Sequence, residues 1–347
     1  MKLEKTKPIE VTKGKSLTNL LNDMLQTGFQ GKNLSMAYRK IKQMIEDEDV
    51  TILFGYAGSL STTGQRRIIQ WMLEENLIDI LVATGANLSE DLIEGMGFSY
   101  YQCPEKFDDK ELFELGYNRY LDVLGREDDY LVMTEKIAEF MQTLNQDHLY
   151  SSRELLNLFG KYLTEQKIDG IVASAYKAGT PVFCPAIIDS PYGDAALIAK
   201  SKGFSLKIDG VKDYVEFMSL ASHVKETGVI YIGGGVPKDM IQLFAVTGDL
   251  LYKDRVIPNR HNEFSREGTD ETYYPHKYAV QVTTDSPQWG GLSGCTFQEA
   301  TSWGKESENH NYVQVYCDAT IALPVISHAL ADNLTTRRKP RELMKKL

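Results

Sequence analysis

Two periodicities run along the chain: apolar residues at helical spacing, and short unbroken apolar runs between them. Leu17, Leu20, Leu21, Met24 and Leu25 fall at i, i+3, i+4, i+7 and i+8 behind Ser16, a suitable N-cap. They predict an amphipathic helix that Gly28 ends. The TGFQGKN turn (residues 27–33) leads to a second helix with Met36, Tyr38, Ile41, Met44 and Ile45 inward. Residues 50–56 (VTILFGY) are β-branched and aromatic and read as a buried strand. A small-residue turn at 57–64 and a helix through Ile68, Ile69, Met72 and Leu73 follow it. Further strands are expected at 78–84, 181–186, 229–232, 278–282 and 312–316, with a long amphipathic helix at 211–224. Strands alternating with helices predict an α/β fold with a doubly wound, mostly parallel sheet and ligands at the carboxyl ends of its strands.

Residues 98–150 carry weaker signals. A short strand at 98–103 and helices at 108–116 and 129–144 are expected, with Gly116–Arg119 as a turn. Ser151 and Glu154 have capping-box spacing, as do Asn87 and Glu90, and Thr296 and Glu299. Residues 249–277 mix acids and bases and read as an exposed loop, with a lid or subunit contact as the sharper alternative. The expected organisation is an N-terminal extension with a helix (1–32), one nucleotide-binding domain (33–332) and a basic tail (333–347). The tail reads as a frayed end rather than a nucleic-acid arm.

Composition narrows the function. With 42% apolar residues among 347, the chain can build a full core. No apolar run approaches the ~18 residues of a membrane span, and the N-terminus lacks a signal-peptide core, so a cytoplasmic location is expected. Cys103, Cys184, Cys295 and Cys317 are scattered without metal-ligand spacing; reduced thiols and no metal are expected. The net charge of −10 argues against nucleic acid. It suits a polycationic substrate, although ordinary solubility would give the same balance.

The most chemically suggestive stretch is 278–320. A strand runs into a glycine turn (Gly290, Gly291, Gly294), and a short helix from Thr296 delivers Lys305 just past Trp303. A lysine against an aromatic wall is partly desolvated, which favours the nucleophilic amine. A lone lysine there is more often a surface residue. Upstream, Gly58 and Ser59 sit in a strand–turn–helix that offers free backbone N–H groups to a phosphate, without a GxGxxG pattern. Gly233, Gly234 and Gly235 let backbone approach a ligand closely, with Pro237 in the next helix's first turn. Asp189 and Asp194, five apart at a strand end, can bind an amine, a ribose or a metal, or serve as turn and N-cap residues.

Four motifs in order, TGFQGKN, GGGVPK (233–238), SWGK (302–305) and VYCDAT (315–320), resemble the deoxyhypusine synthase family over residues 7–332. The resemblance implies an NAD-dependent aminobutyltransferase that acts on spermidine through an imine on Lys305. It implies NAD contacts at Gly58, Ser59, Thr84, Gly85, Ala86, Asp189, Gly233, Gly234, Gly235, Thr284, Asp318 and Ala319. Polyamine contacts are implied at Glu90, Asp194, Glu299, Trp303 and Trp289. A homotetramer with sites at subunit interfaces is implied too, the N-terminal helix either reaching a neighbour's site or packing on its own core. Three departures matter. The family pattern has a more polar pair where Gly58 and Ser59 stand, and many eukaryotic-type members have histidine where Asp239 stands. Trp289 and Leu292 replace carboxylates in the glycine turn, as in a bacterial-type branch. That turn makes putrescine the expected acceptor, giving homospermidine; a lysine of translation initiation factor 5A is the alternative. An NAD-binding protein without transfer activity and a plain dehydrogenase are the other readings.

Overall fold

The computed structural model describes residues 3–251, 264–265, 268, 272–307, 309, 311–334 and 338–347. Six strands form one parallel sheet: β1 (Val50–Tyr56), β2 (Ile80–Ala83), β3 (Val182–Phe183), β4 (Glu226–Ile232), β5 (Tyr278–Thr283) and β6 (Tyr312–Tyr316). Their spatial order is β6-β5-β4-β1-β2-β3, and every pairing is parallel. The order reverses between β1 and β4. This is the doubly wound arrangement expected, and a crevice opens at the reversal.

Strand alternation divides the core in two. Ile52, Phe54, Tyr56, Ile230, Ile232, Val280 and Val282 face one helical layer, while Leu53, Val229, Tyr231 and Ala279 face the other. The first layer includes Leu17–Met24, Phe29–Glu46, Arg66–Glu74 and Ala319–Ala331; the second includes Gly210–Ser219 and Gly235–Leu251. A Cβ on Gly55 of β1 would lie 2.8 Å from Ile241 Cδ1, so any side chain there would push Ile241 aside. The helix after β4 thus packs directly on β1.

Several expectations change. Gly28 does not end the first helix, which stops at Met24, but caps the second, which runs from Phe29 straight through residue 32. The 108–116 segment shortens to Asp109–Glu114. The expected turn at 116–119 is instead a strand, Tyr117–Tyr120, which pairs antiparallel with Val123–Arg126. With Tyr101–Gln102 these make a separate three-stranded sheet. Residues 181–186 yield only two strand residues, as Pro185 would lead one to expect. Ser151 and Glu154 do form a reciprocal capping box.

The basic tail is docked where it is described. Arg338 pairs with the buried Asp79 at 2.5 Å, Arg341 donates to the carbonyls of Glu48 and Val50, and Leu343 is buried. The expected loop at 249–277 lies for the most part outside the described residues. Among the described residues no helix is long and apolar enough to cross a membrane, and no cluster of His, Cys, Asp and Glu could hold a metal.

Candidate active site

The crevice at the reversal is a cavity of about 390 Å³ at the carboxyl ends of β1, β4, β5 and β6. Gly58, Ser59, Gly233, Gly234, Thr284, Asp318 and Ala319 line it, and so do Thr63, Asp285 and Ser293, which sequence reasoning did not single out. Backbone bonds set its rim: Ala57 N donates to Ile232 O, Gly233 N to Val282 O and Cys317 N to Thr283 O. Gly58 and Gly233 have φ of +96° and +69°, and a Cβ at Gly233 would lie 3.2 Å from Ala57 O.

Asn87 shapes the turn after β1. Its buried carboxamide accepts from Leu60 N and Ser61 N and donates to Gly58 O and Thr84 Oγ1. Asn87 therefore caps no helix: its helix starts at Gly85 with Thr84 as N-cap, and the Asn87–Glu90 capping box does not form. Tertiary partners outcompeted the local one.

Thr84, Gly85, Ala86, Asp189 and Gly235 do not line the cavity. Gly235 opens the helix after β4. The other four lie where the turns after β2 and β3 meet, since a Cβ at Gly85 would fall 2.2 Å from Ser190 Oγ. Ser190 caps the helix Pro191–Ser201, whose first turn holds the exposed Asp194.

Glu90 is on this side too, 6% exposed and ringed by tyrosines from the three-stranded sheet and its flanks. Tyr100 Oη donates to Glu90 O at 2.9 Å, and Tyr120 Oη to Glu90 Oε1 at 3.4 Å. Burial pushes the Glu90 carboxyl up to about 7. Burial, with the charges of Glu90 and Asp194, raises the Tyr130 hydroxyl to about 12. Glu90 and Asp194 are thus both close enough to Tyr130 to act on it.

Lys305 lies on the opposite half of the sheet. Thr296 Oγ1 accepts from Glu299 N and starts the short helix Phe297–Thr301. Trp303 N and Lys305 N both return to Ala300 O. Gly304 between them has φ +77°, and a Cβ on it would lie 2.8 Å from Tyr273 Cγ. Only glycine fits between that tryptophan and that lysine. The Lys305 side chain is 12% exposed, with Nζ 5.2 Å from the Trp303 ring centroid and 3.8 Å from Asp239 Oδ1. Trp303 and Trp289 stand largely in solvent, at 61% and 79% exposure. Among the described residues no hydrogen bond, ion pair or ring contact joins Lys305 to Glu90 or Asp194. By strand order they fall on opposite halves of the sheet, Glu90 and Asp194 after β2 and β3, and Glu299, Trp303 and Lys305 between β5 and β6 in the chain.

A deoxyhypusine synthase family model matches residues 19–330. The chain belongs to the deoxyhypusine synthase family. It is similar to Probable deoxyhypusine synthase 2 of Methanosarcina mazei, 41% identical over 94% of this chain and 89% of that one. It is 34% identical to the deoxyhypusine synthase-like protein of Chlorobaculum tepidum, over 93% and 88% of the two chains. A crystallised, provisionally named deoxyhypusine synthase from Entamoeba histolytica has the same fold. It has a TM-score of 0.63 at 19% identity, over 96% of this chain and 99% of that one. Membership implies aminobutyl transfer.

Proposed function

We propose that this protein moves an aminobutyl group from spermidine to an amine acceptor through an imine on Lys305, with NAD as cofactor and putrescine as acceptor. The observation that carries the reading is Lys305 itself, its side chain mostly shielded and its amine 5.2 Å from the Trp303 ring centroid and 3.8 Å from Asp239 Oδ1. The cavity suits a dinucleotide. Glycines at Gly58 and Gly233 keep Cβ atoms out of it, and Asp285 and Asp318 offer carboxylates of the kind that accept from ribose hydroxyls. The chemistry NAD supplies when bound is reversible hydride exchange with the carbon beside an amine nitrogen.

Lys305 supplies the covalent step. Its amine adds to the carbon of the oxidised donor, diaminopropane leaves, and the four-carbon fragment remains as a C=N bond to Nζ. An acceptor amine then displaces Lys305 in the same manner. Asp194, Glu90 and Glu299 are the carboxylates assigned to the ammonium ends, with Trp303 offering a cation–π face. Incubating the protein with NAD, spermidine and candidate acceptors, and identifying the products, tests the whole reading.

Glu90 makes the polyamine assignment pH-dependent. Its carboxyl is neutral below about 7, and only the carboxylate pairs with an ammonium, so spermidine affinity should rise as pH increases through about 7. Asp91 is pushed to about 7 as well, but its carboxylate takes Ile171 N in the core. Glu90→Gln should erase the pH dependence and weaken spermidine by about 2–4 kcal/mol while sparing NAD, measured by calorimetry from pH 6 to 8.5. Equal loss of both ligands would mean that Glu90 is structural.

The acceptor rests on the glycine turn. Trp289 and Leu292 stand there in place of carboxylates, giving a π face and an apolar wall that suit a short diamine. Trp289→Ala should weaken acceptor use by about 0.5–2 kcal/mol and leave cofactor reduction by spermidine nearly unchanged. The 41% identity to a Probable deoxyhypusine synthase favours the second reading, a protein lysine as acceptor. Labelling of a factor 5A lysine, with no product from putrescine, would establish it.

A further inference from the structure

Lys238, the last residue of GGGVPK, is completely buried. It enters the core from the helix Gly235–Leu251, and its Nζ donates to Gln281 Oε1 at 3.0 Å, Leu292 O at 3.1 Å and Cys295 O at 2.8 Å. Three acceptors at one nitrogen call for three donated protons, which only the ammonium carries. The rings of Tyr231 and Phe297 lie 5.9 and 5.6 Å away and offer their faces to the charge. Among the described residues no carboxylate is within ion-pair distance of it.

Two of the three acceptors belong to the glycine turn. The third, Gln281, extends the grip: its amide donates to Gly233 O at 2.8 Å and Ser293 O at 2.9 Å. Gln314 Nε2 donates to both Gln281 Oε1 and Cys295 O, while its Oε1 accepts from Phe297 N. Helix, β5 and β6 thus each send one polar side chain inward to the same turn. The fit leaves no slack, because a Cβ at Gly234 would lie 2.4 Å from Ser293 Cα. The turn in turn leads through Phe297–Thr301 to Trp303 and Lys305.

We propose that Lys238 is a positioning residue whose ammonium clasps the 290–296 turn against the glycines after β4, keeping water from the aminobutyl group on Lys305. The second half of this inference rests on the transfer reaction proposed above. Without the clasp, water adds across the C=N bond at Lys305. That returns the lysine amine and releases 4-aminobutanal, in place of transfer to an acceptor.

Burial lowers Lys238 to about 8 from its usual 10.5, a fall that Lys305 reinforces and that Cys295, Glu306 and Glu299 oppose. Burial in turn pushes the Glu306 carboxyl well above the usual carboxylate range. Above about 8 the neutral amine has two protons for three acceptors, and the turn should loosen. The effect is local. A lysine lowered by folding weakens the native state below its folded value, and that cost disappears as pH rises from about 8 toward 10.5.

Two readouts test the clasp, using Lys238→Met, which keeps the length and removes the donors. The first is amide hydrogen exchange of the free protein, where Gly294 N and Cys295 N are bonded within the turn. Exchange over 290–296 should quicken about tenfold or more in the variant, with β1 unchanged. The wild type should show the same above pH 9, after correction for intrinsic exchange. The second is the fraction of cleaved spermidine recovered as 4-aminobutanal, which should rise several-fold. A merely less stable variant lowers total turnover and leaves that fraction alone. Unchanged exchange in the turn, or equal quickening everywhere, overturns the clasp; an unchanged aldehyde fraction overturns its role in excluding water. If the wild type cleaves no spermidine, the transfer reading falls and the water-shielding role with it, while exchange still decides whether Lys238 holds the turn.

Discussion

Replacing Lys305 by alanine is expected to abolish aminobutyl transfer and to leave folding and NAD binding nearly intact. The side chain does not line the cavity at the strand ends, and its contacts are Trp303 and a partly exposed Asp239. A partly exposed ion pair of this kind contributes about 1 kcal/mol or less. What anchors the segment is main chain: Lys305 N to Ala300 O, and His276 N to Lys305 O, both kept by alanine. Loss of a covalent carrier, by contrast, removes the route itself and costs several orders of magnitude. Borohydride added during turnover should leave a reduced four-carbon amine adduct on Lys305, located by peptide mass spectrometry. Transfer at the wild-type rate by the alanine variant would reject the mechanism.

The sheet was legible because each core strand announces itself locally. Residues 50–56 are all buried, and β-branched and aromatic side chains serve both faces at once. The hairpin at 117–126 was not. Its turn places Leu121 at φ +58°, a position where Asn or Gly would have given the signal, and its strands alternate weakly between solvent and a thin cover. Lys238 gave no warning either. A lysine in a helix's first turns reads as solvated, and the carbonyls that bury it come from residues 54 and 57 further along the chain. The tail misled for a similar reason. Arg338 and Arg341 look like a charged end until β1 and the turn before it present carbonyls, and Asp79 a carboxylate. The family resemblance pointed to Lys305 and to seven of the cavity-lining residues, Gly58, Ser59, Gly233, Gly234, Thr284, Asp318 and Ala319, while ten others of the lining went unnamed. It could not reveal that Glu90 and Asp194 lie apart from Lys305 within one chain, because that follows from strand order alone.

That separation leads to the second large effect: two inactive variants should restore each other. Lys305 sits between β5 and β6, and Glu90 and Asp194 follow β2 and β3, on opposite halves of the sheet. If one spermidine must meet both groups, the second must come from another copy, as the proposed oligomer with interface sites requires. Exposed apolar side chains occur on each half: Ile188 and Leu197 flank Asp189 and Asp194 in the chain, and Trp303, against Lys305, follows Trp289 of the glycine turn. Single exposed apolar residues are ordinary, but apolar residues around two incomplete half-sites are what a symmetric interface would bury. Take a Lys305→Ala protomer, inactive at any spermidine concentration, and a Glu90→Gln protomer, kept inactive by assay at spermidine far below its weakened affinity. A mixed dimer of the two contains one site with both defects and one with neither. Random exchange at equal concentrations makes half the dimers mixed, so activity should recover to about one quarter of wild type. Recovery should follow subunit exchange, monitored by native mass spectrometry, and the same mixture kept from exchanging should stay inactive. Mixed dimers without activity would place every working residue within one chain, and so would a fully active monomer in sedimentation.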